Sequence, residues 1–291
     1  MRIIFSRKGF DSSFGGKPSP IMPDGRMVSL PIPSKQSPKQ SPTIRYKDIH
    51  WQGYDLGMFV SDLTGGCISA SYFAHLDPDI RSESLFHRHS EWRPLFGQTG
   101  IAQGHLRNNS VQAGDIFLFF GLFRDVIQSS EKLEWNRHSQ RRHVLWGWLQ
   151  IDEVLKVDGC NLSKYEWATY HPHFHRKKPE PNNTLYIARK YLTLPGVSSC
   201  VLAGAGVFSH FSEQLVLTAP AATTTCQWEL PQWFYPRDGK CPLTYHADLA
   251  RWQRTKNSTR LNAVAKGQEF ILDTGDFPEA IEWLKRLLES A

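Results

Sequence analysis

The 291-residue chain has little cysteine, and none of its 5 cysteines forms a Cys-x-x-Cys pair. A zinc ribbon or paired redox site is therefore not expected, and Cys67, Cys160, Cys200, Cys226 and Cys241 read as reduced thiols. No apolar run approaches the roughly 18–20 residues that span a bilayer. Arg2, Arg7 and Lys8 flank only a short apolar run, so no secretory leader is visible. A soluble, cytoplasmic protein with no membrane partner is expected. The chain has no Walker loop, no Gly-x-Gly-x-x-Gly and no Gly-x-Ser-x-Gly elbow. The zinc-deaminase signature is missing, and Glu131-Lys132 are neighbours, not the Glu-x-Lys of a nuclease. Repeats are absent too.

What is present argues for a folded protein. The hydrophobic fraction is 40%, with 10 Trp and 17 Phe, enough for a substantial core. The net charge of +6 is compatible with an acidic partner such as nucleic acid, and is also common without one.

Residues 1–33 are dense in special positions. Arg2–Phe5 read as a strand, and Leu30–Pro33 return as a second apolar run. Between them lie Lys8, Asp11, Ser12, Gly15-Gly16 and the turn Asp24-Gly25-Arg26. The glycine pair permits positive φ and close backbone approach to a ligand. Lys8 suits a phosphate, Arg26 could hold a carboxylate or phosphate, and Asp11 could act as general base or metal ligand with Asp24 as its partner. The competing reading is a glycine-rich hairpin in which Asp11 and Asp24 cap turns.

Ser34–Thr43 is a low-complexity segment and reads as a mobile surface loop. Residues 44–80 are mixed, with Asp77-Pro78-Asp79 turn-like, and Gly97–Gly100 read as a loop. Ile116–Phe123 follows the Gly114-Asp115 turn as a buried strand with a bulge expected at Gly121. His143–Ile151 is a second aromatic strand. The pair resembles the small PUA-like or EVE-like β-barrels, which grip a base; a generic antiparallel pair is the alternative. Thr184–Ala188, Gln214–Thr218 and Glu269–Leu272 read as strands, and Tyr245–Trp252 as a helix. The last helix has Asp276 as N-cap and Glu279 three later, with Phe277, Ile281, Leu284 and Leu288 at helical spacing. The expectation is one α+β, β-rich domain over 1–291, with a small barrel or antiparallel core and a C-terminal amphipathic helix.

Two further clusters could carry chemistry. If extended, His171-Pro172-His173-Phe174-His175 would put its imidazoles on one face, where they could ligate one metal or simply be surface or satisfied histidines. With no Cys or acid nearby in sequence, no metal site is assigned; an acid–base role for His171 or His173 is the functional option. The basic segment around Arg141 and Arg142, interleaved with Trp135 and Trp146, could hold a phosphate backbone while an aromatic stacks on a base. A solvated loop is the plainer alternative. His87-Arg88-His89 forms a second basic patch.

Taken together, Ser6–Ser12, Gly15-Gly16, Pro18–Ile21, Asp24–Arg26 and Ser29–Pro33 resemble the N-terminal signature of the third nucleotide-modification-associated domain family. Gly114-Asp115, His143–Ile151, His171-Pro172-His173, Thr184–Ala188, Gly204–Phe208 and Lys266–Phe270 extend the resemblance over nearly the whole chain. It implies association with phage and bacterial systems that modify nucleic-acid bases, but no reaction, cofactor or catalytic residue. The residues themselves propose an enzyme acting on a nucleotide or nucleic acid. In that reading Asp11, Lys8, Asp24, His171 and His173 are catalytic, and Ser12, Gly15, Gly16, Arg26, Arg141, Arg142 and Trp146 bind substrate. A non-catalytic reader of modified bases and a defence nuclease are the alternatives.

Overall fold

The computed structural model describes residues 1–34, 44–85, 87–129, 132–176, 178–196, 202–265, 267 and 269–289. The loop expected at 34–43 lies outside them except for Ser34, as do Glu131, Lys266 and Gln268.

The frame is one sheet built on β1 (Arg2–Arg7), β2 (Leu95–Gln98), β3 (Ile116–Ser129), β4 (Arg142–Lys156), β5 (Thr184–Ala188) and β6 (Glu269–Asp273). Their order is β6-β1-β3-β4-β5-β2, with β1 and β3 parallel and the other neighbours antiparallel. That order is an open path, not a closed ring. The α+β class therefore holds, and the small barrel expected from the β3–β4 pair is not formed among the described residues. The pair itself is antiparallel, running longer than expected at both strands. Its bulge falls at Trp146 of β4, where the register shifts between Leu145 and Gly147, and not at Gly121. At Gly121 the constraint is steric, since a Cβ there would sit 2.6 Å from the carbonyl oxygen of Lys8. The missing side chain lets the chain leaving β1 cross β3 closely.

Ile3, Ile4 and Phe5 are all buried, because β1 is covered on both faces. Phe5 packs against Phe234 and Trp283, the latter on α3, which follows α1 (Leu56–Thr64) and α2 (Gly100–Asn108) in chain order and spans Glu279–Glu289. The predicted capping box at Asp276 is not made. Asp276 instead pairs with Lys240, and Glu279 takes both arms of the Arg237 guanidinium at 2.7 Å. Two helices are additions to the expected elements. In α1, Leu56, Phe59, Val60 and Leu63 form the buried face; Asp55 caps its start through the Met58 amide, and Gly65 ends it at φ 63°. In α2, only Gln103 and Leu106 are buried. Tyr245–Trp252 is not a helix: it holds a 3-10 turn, Leu249–Arg251, and the start of a strand, Trp252–Arg254. Gln214–Thr218 is likewise not a strand; it begins in a 3-10 turn and then makes isolated bridges.

His143 sits inside the core and not on the basic patch. Its Nδ1 accepts the Trp228 indole N–H at 3.0 Å, and burial, with the Arg7 charge adding to it, pushes its pKa down to about 3. The unfolded value is about 6.5. The folded pKa is depressed, so the stability this ring confers is present above pH ~6.5 and is lost as pH falls toward the folded value. Wild type should therefore lose on the order of 1.4 kcal/mol per pH unit between pH ~6 and ~4 from this residue alone. Urea unfolding at several pH values should show a slope shallower by about one proton in His143→Asn; equal slopes would refute the assignment.

A candidate site at the N-terminal loop and the histidine turn

Alternation along β1 carries past its end to set Ser6 and Lys8 on the face opposite Phe5. Ser6 pairs in register with Glu269 of β6, whose carboxylate is buried. Lys8 Nζ reaches Glu269 Oε1 at 3.0 Å and lies 4.7 Å from the Phe96 ring centroid. Gln98 at the end of β2 donates to the same oxygen at 2.5 Å. Burial raises the Glu269 pKa, and Lys8 offsets only part of that rise.

Beyond Lys8 the chain turns back on itself. Asp11 Oδ1 accepts the amides of Ser13 and Phe14 at 2.7 and 2.8 Å, so one of its oxygens is a turn cap. A Cβ on Gly15 would lie 2.4 Å from the Phe10 ring, and its φ is +81°. That glycine is required by packing and backbone alike. The run Leu30–Pro33 then forms a short strand at Ile32–Pro33, pairing Ile32 with His75. The first 33 residues thus place Lys8 directly and His75 by pairing.

Asp77 follows His75 by two residues and is the centre of the arrangement. Oδ1 accepts the Gly97 amide at 2.8 Å and lies 3.5 Å from His171 Nε2. Oδ2 lies 3.6 Å from His75 Nε2 and 3.5 Å from His173 Nε2. Burial pushes the Asp77 carboxyl up, and His171, His173 and His75 together outweigh it, leaving it well below the usual carboxylate range. His171 is driven below its ordinary value by burial, which Asp77 only partly offsets.

The histidine segment is not extended. Pro172–His175 is a 3-10 turn capped by His171, whose Nδ1 accepts the His173 amide at 3.4 Å. His175 leaves the group and donates from Nε2 to the Thr169 carbonyl at 2.6 Å. His173 Nδ1 lies 2.6 Å from Asn183 Oδ1, while Asn183 Nδ2 donates to the His173 carbonyl at 2.9 Å. That second bond orients the amide, so Nδ1 carries a proton and Nε2 faces Asp77. Gly97 makes room: a Cβ there would stand 2.4 Å from the His173 ring. Behind Asp77, Arg88 pairs with Asp79 through both oxygens at 2.6 and 2.7 Å and also donates to Tyr170. The patch His87-Arg88-His89 thus contributes an internal brace.

Lys8, Asp11, His75, Asp77, Gln98 and His173 border one cleft with a cavity volume of about 440 Å³, with exposed Arg176 at its rim. His75, Asp77 and His173 each offer a donor atom within 4.8 Å of the others, a set that could hold a metal ion. Of the sequence candidates, Lys8, Asp11 and His173 come together here, with His171 against Asp77 from behind. The rest do not join them. Asp24 caps the Arg26 amide and pairs with its guanidinium, which also reaches Gln52 and lies over Trp51. Ser12 is exposed, and Gly16 is a turn residue at φ 71°. Arg141 is exposed, and Arg142 is held by Asp125 at 2.8 and 2.9 Å. Trp146 is buried against Phe119, their centroids 5.5 Å apart. Sequence reasoning missed His75, Asp77, Gln98 and Glu269. The one available signal was His-x-Asp at 75–77, two polar side chains at the spacing that shares a strand face.

The family described as nucleotide modification associated domain 3 matches residues 2–273. No curated protein and no solved structure matches the chain.

Two substitutions test the frame of the cleft. Lys8→Met should cost roughly 3 kcal/mol at pH 7, because it strands a buried carboxylate. The Glu269 pKa is raised in the fold, so the loss should shrink as pH falls through that raised value toward the unfolded ~4.3, which denaturation at pH 7 and 5 would reveal. Gly97→Ala should destabilise by about 1–3 kcal/mol and displace the His173 ring, read from its imidazole NMR signals.

Proposed function

The chain belongs to the nucleotide modification associated domain 3 family, and from that premise we propose that its cleft binds a nucleotide or nucleic-acid base and modifies it. The observation that carries this reading is the meeting of Lys8 and Asp11, from one end of the chain, with His75, Asp77 and His173 around a single opening. Its volume lies in the range of small-molecule sites, roughly 300–1,000 Å³. Exposed Arg176 at the rim supplies positive charge for a phosphate, while Lys8 holds Glu269 behind the opening. Asp11 has both turn bonds on Oδ1, which leaves its other oxygen for substrate or a proton. His173, oriented through Nδ1 by Asn183, lines the same cleft and offers Nε2 to substrate or to an ion. Asp24, Arg26, Arg141 and Arg142 have no part in this reading, since each is paired or exposed away from the cleft.

A non-catalytic reader built on Trp146 and Trp148 is not favoured. Trp148 is buried and donates to the Ala203 carbonyl at 3.1 Å, and the cavity beside Trp146 measures about 50 Å³. That holds a few waters, not a base.

The test has two arms. Nucleosides from cells expressing the protein with its genomic neighbours are compared by mass spectrometry, and nucleoside monophosphates and short single-stranded DNA are titrated calorimetrically. Asp11→Asn keeps the turn's acceptor, and His173→Gln keeps a polar side chain; each should lower product formation about 100-fold or more. Folded variants that bind and convert like wild type would sink the reading.

A further inference from the structure

We propose that His75, Asp77 and His173 form a binding site for a divalent transition-metal ion with a coordination position open to the cleft. The inference goes beyond the nucleotide reading and stands on the donors alone.

The separations are the first argument. A proton shared between an imidazolium and a carboxylate draws the heavy atoms to about 2.7–2.9 Å. Here His75 Nε2 and His173 Nε2 stand 3.6 and 3.5 Å from Asp77 Oδ2. Donors bonded tetrahedrally to zinc at about 2.0–2.1 Å lie roughly 3.4 Å apart. Both spacings match those of donors sharing one ion, and all three donor atoms lie within 4.8 Å of one another.

Ring orientation is the second. Asn183 Oδ1 accepts from His173 Nδ1, which leaves Nε2 as the ring atom directed at Asp77 Oδ2. The Asn183 contact is also the outer hydrogen bond that metal-binding imidazoles make.

The division of labour at Asp77 is the third. Oδ1 is taken by the Gly97 amide and faced by His171 Nε2, whereas Oδ2 faces the two remaining histidines. One oxygen is anchored and the other is presented. Two imidazoles and one carboxylate suit zinc, iron, cobalt or manganese over magnesium or calcium, which prefer all-oxygen shells. Three protein ligands leave room for water, the arrangement of catalytic sites. An ion there would lower the pKa of its water toward ~7, beside Lys8 and Asp11.

The test uses full-length protein without a histidine tag, stripped with chelator and titrated with Zn²⁺ by calorimetry and with Co²⁺ by visible absorption. One ion per chain is expected, with d–d bands of a low-coordinate Co²⁺ site. His75→Ala, half-exposed and so tolerant of change, and Asp77→Asn should each weaken binding at least 100-fold, whereas His175→Ala should not. Because Asp77→Asn could misfold, NMR of wild type gives a second readout: Zn²⁺ should shift the ring signals of His75 and His173 and leave those of His175. Absence of a stoichiometric ion, or equal binding by His75→Ala, would overturn the site. A bound ion with no nucleotide affinity would leave the site standing and remove the nucleotide reading; metal-dependent cleavage of DNA would keep the site and recast the protein as a nuclease.

Discussion

A carboxylate enclosed by protein and still ionised needs donors on every side, and Asp77 is such a group. Its charge is costly to bury, and several elements answer that cost: the Gly97 amide of β2, His75 on its own short strand, and His171 and His173 on the turn before β5. Each of these elements is anchored elsewhere. His75 is paired to Ile32, β2 is an edge of the main sheet, and Asn183 links the histidine turn to the strand that follows it. A side chain that draws together parts of the chain so far apart limits how each can move.

Lys8 and Gln98, which line the cleft, hold a second buried charge behind it. Glu269 is as enclosed as Asp77, but its partners are a lysine and an amide, and its pKa moves up where that of Asp77 moves down. The contrast follows from what surrounds each group. Asp77 has imidazoles on three sides and a backbone donor; Glu269 has one ammonium group and an unpartnered Oε2. Two buried carboxylates, Asp77 on the cleft and Glu269 behind Lys8, thus have pKa values driven in opposite directions.

Much of the frame was legible. β1, β3, β4, β5 and β6 each contain a short apolar or aromatic run, and a strand buried on both faces shows itself that way. The α1 helix was legible too, with Leu56, Phe59, Val60 and Leu63 at helical spacing between Asp55 and Gly65, but its surroundings looked too mixed to read. The helix expected at Tyr245–Trp252 failed because its polar and aromatic residues face different partners: Trp252 bonds the His246 carbonyl, and Tyr245 stacks on His105. At the site, Lys8, Asp11 and His173 stood out by residue type. Asp77 did not, since an Asp-Pro-Asp run is also what an ordinary turn looks like.

By itself the amino-acid sequence determined the apolar strands β1, β3, β4, β5 and β6 and their burial, the glycines that close turns, and the density of polar residues in the first 33 positions. These are local properties, set by side-chain volume, backbone freedom and spacing. Tertiary structure alone decided which acid the histidines meet. Asp77 and His173 are nearly a hundred residues apart, and nothing in either neighbourhood names the other. Their meeting depends on the pairing of His75 with Ile32 and on the missing side chain at Gly97. It likewise decided that Asp24 and Arg26 satisfy each other, and that Lys8 spends its charge on Glu269, because a buried charge takes whatever partner the packing brings within reach.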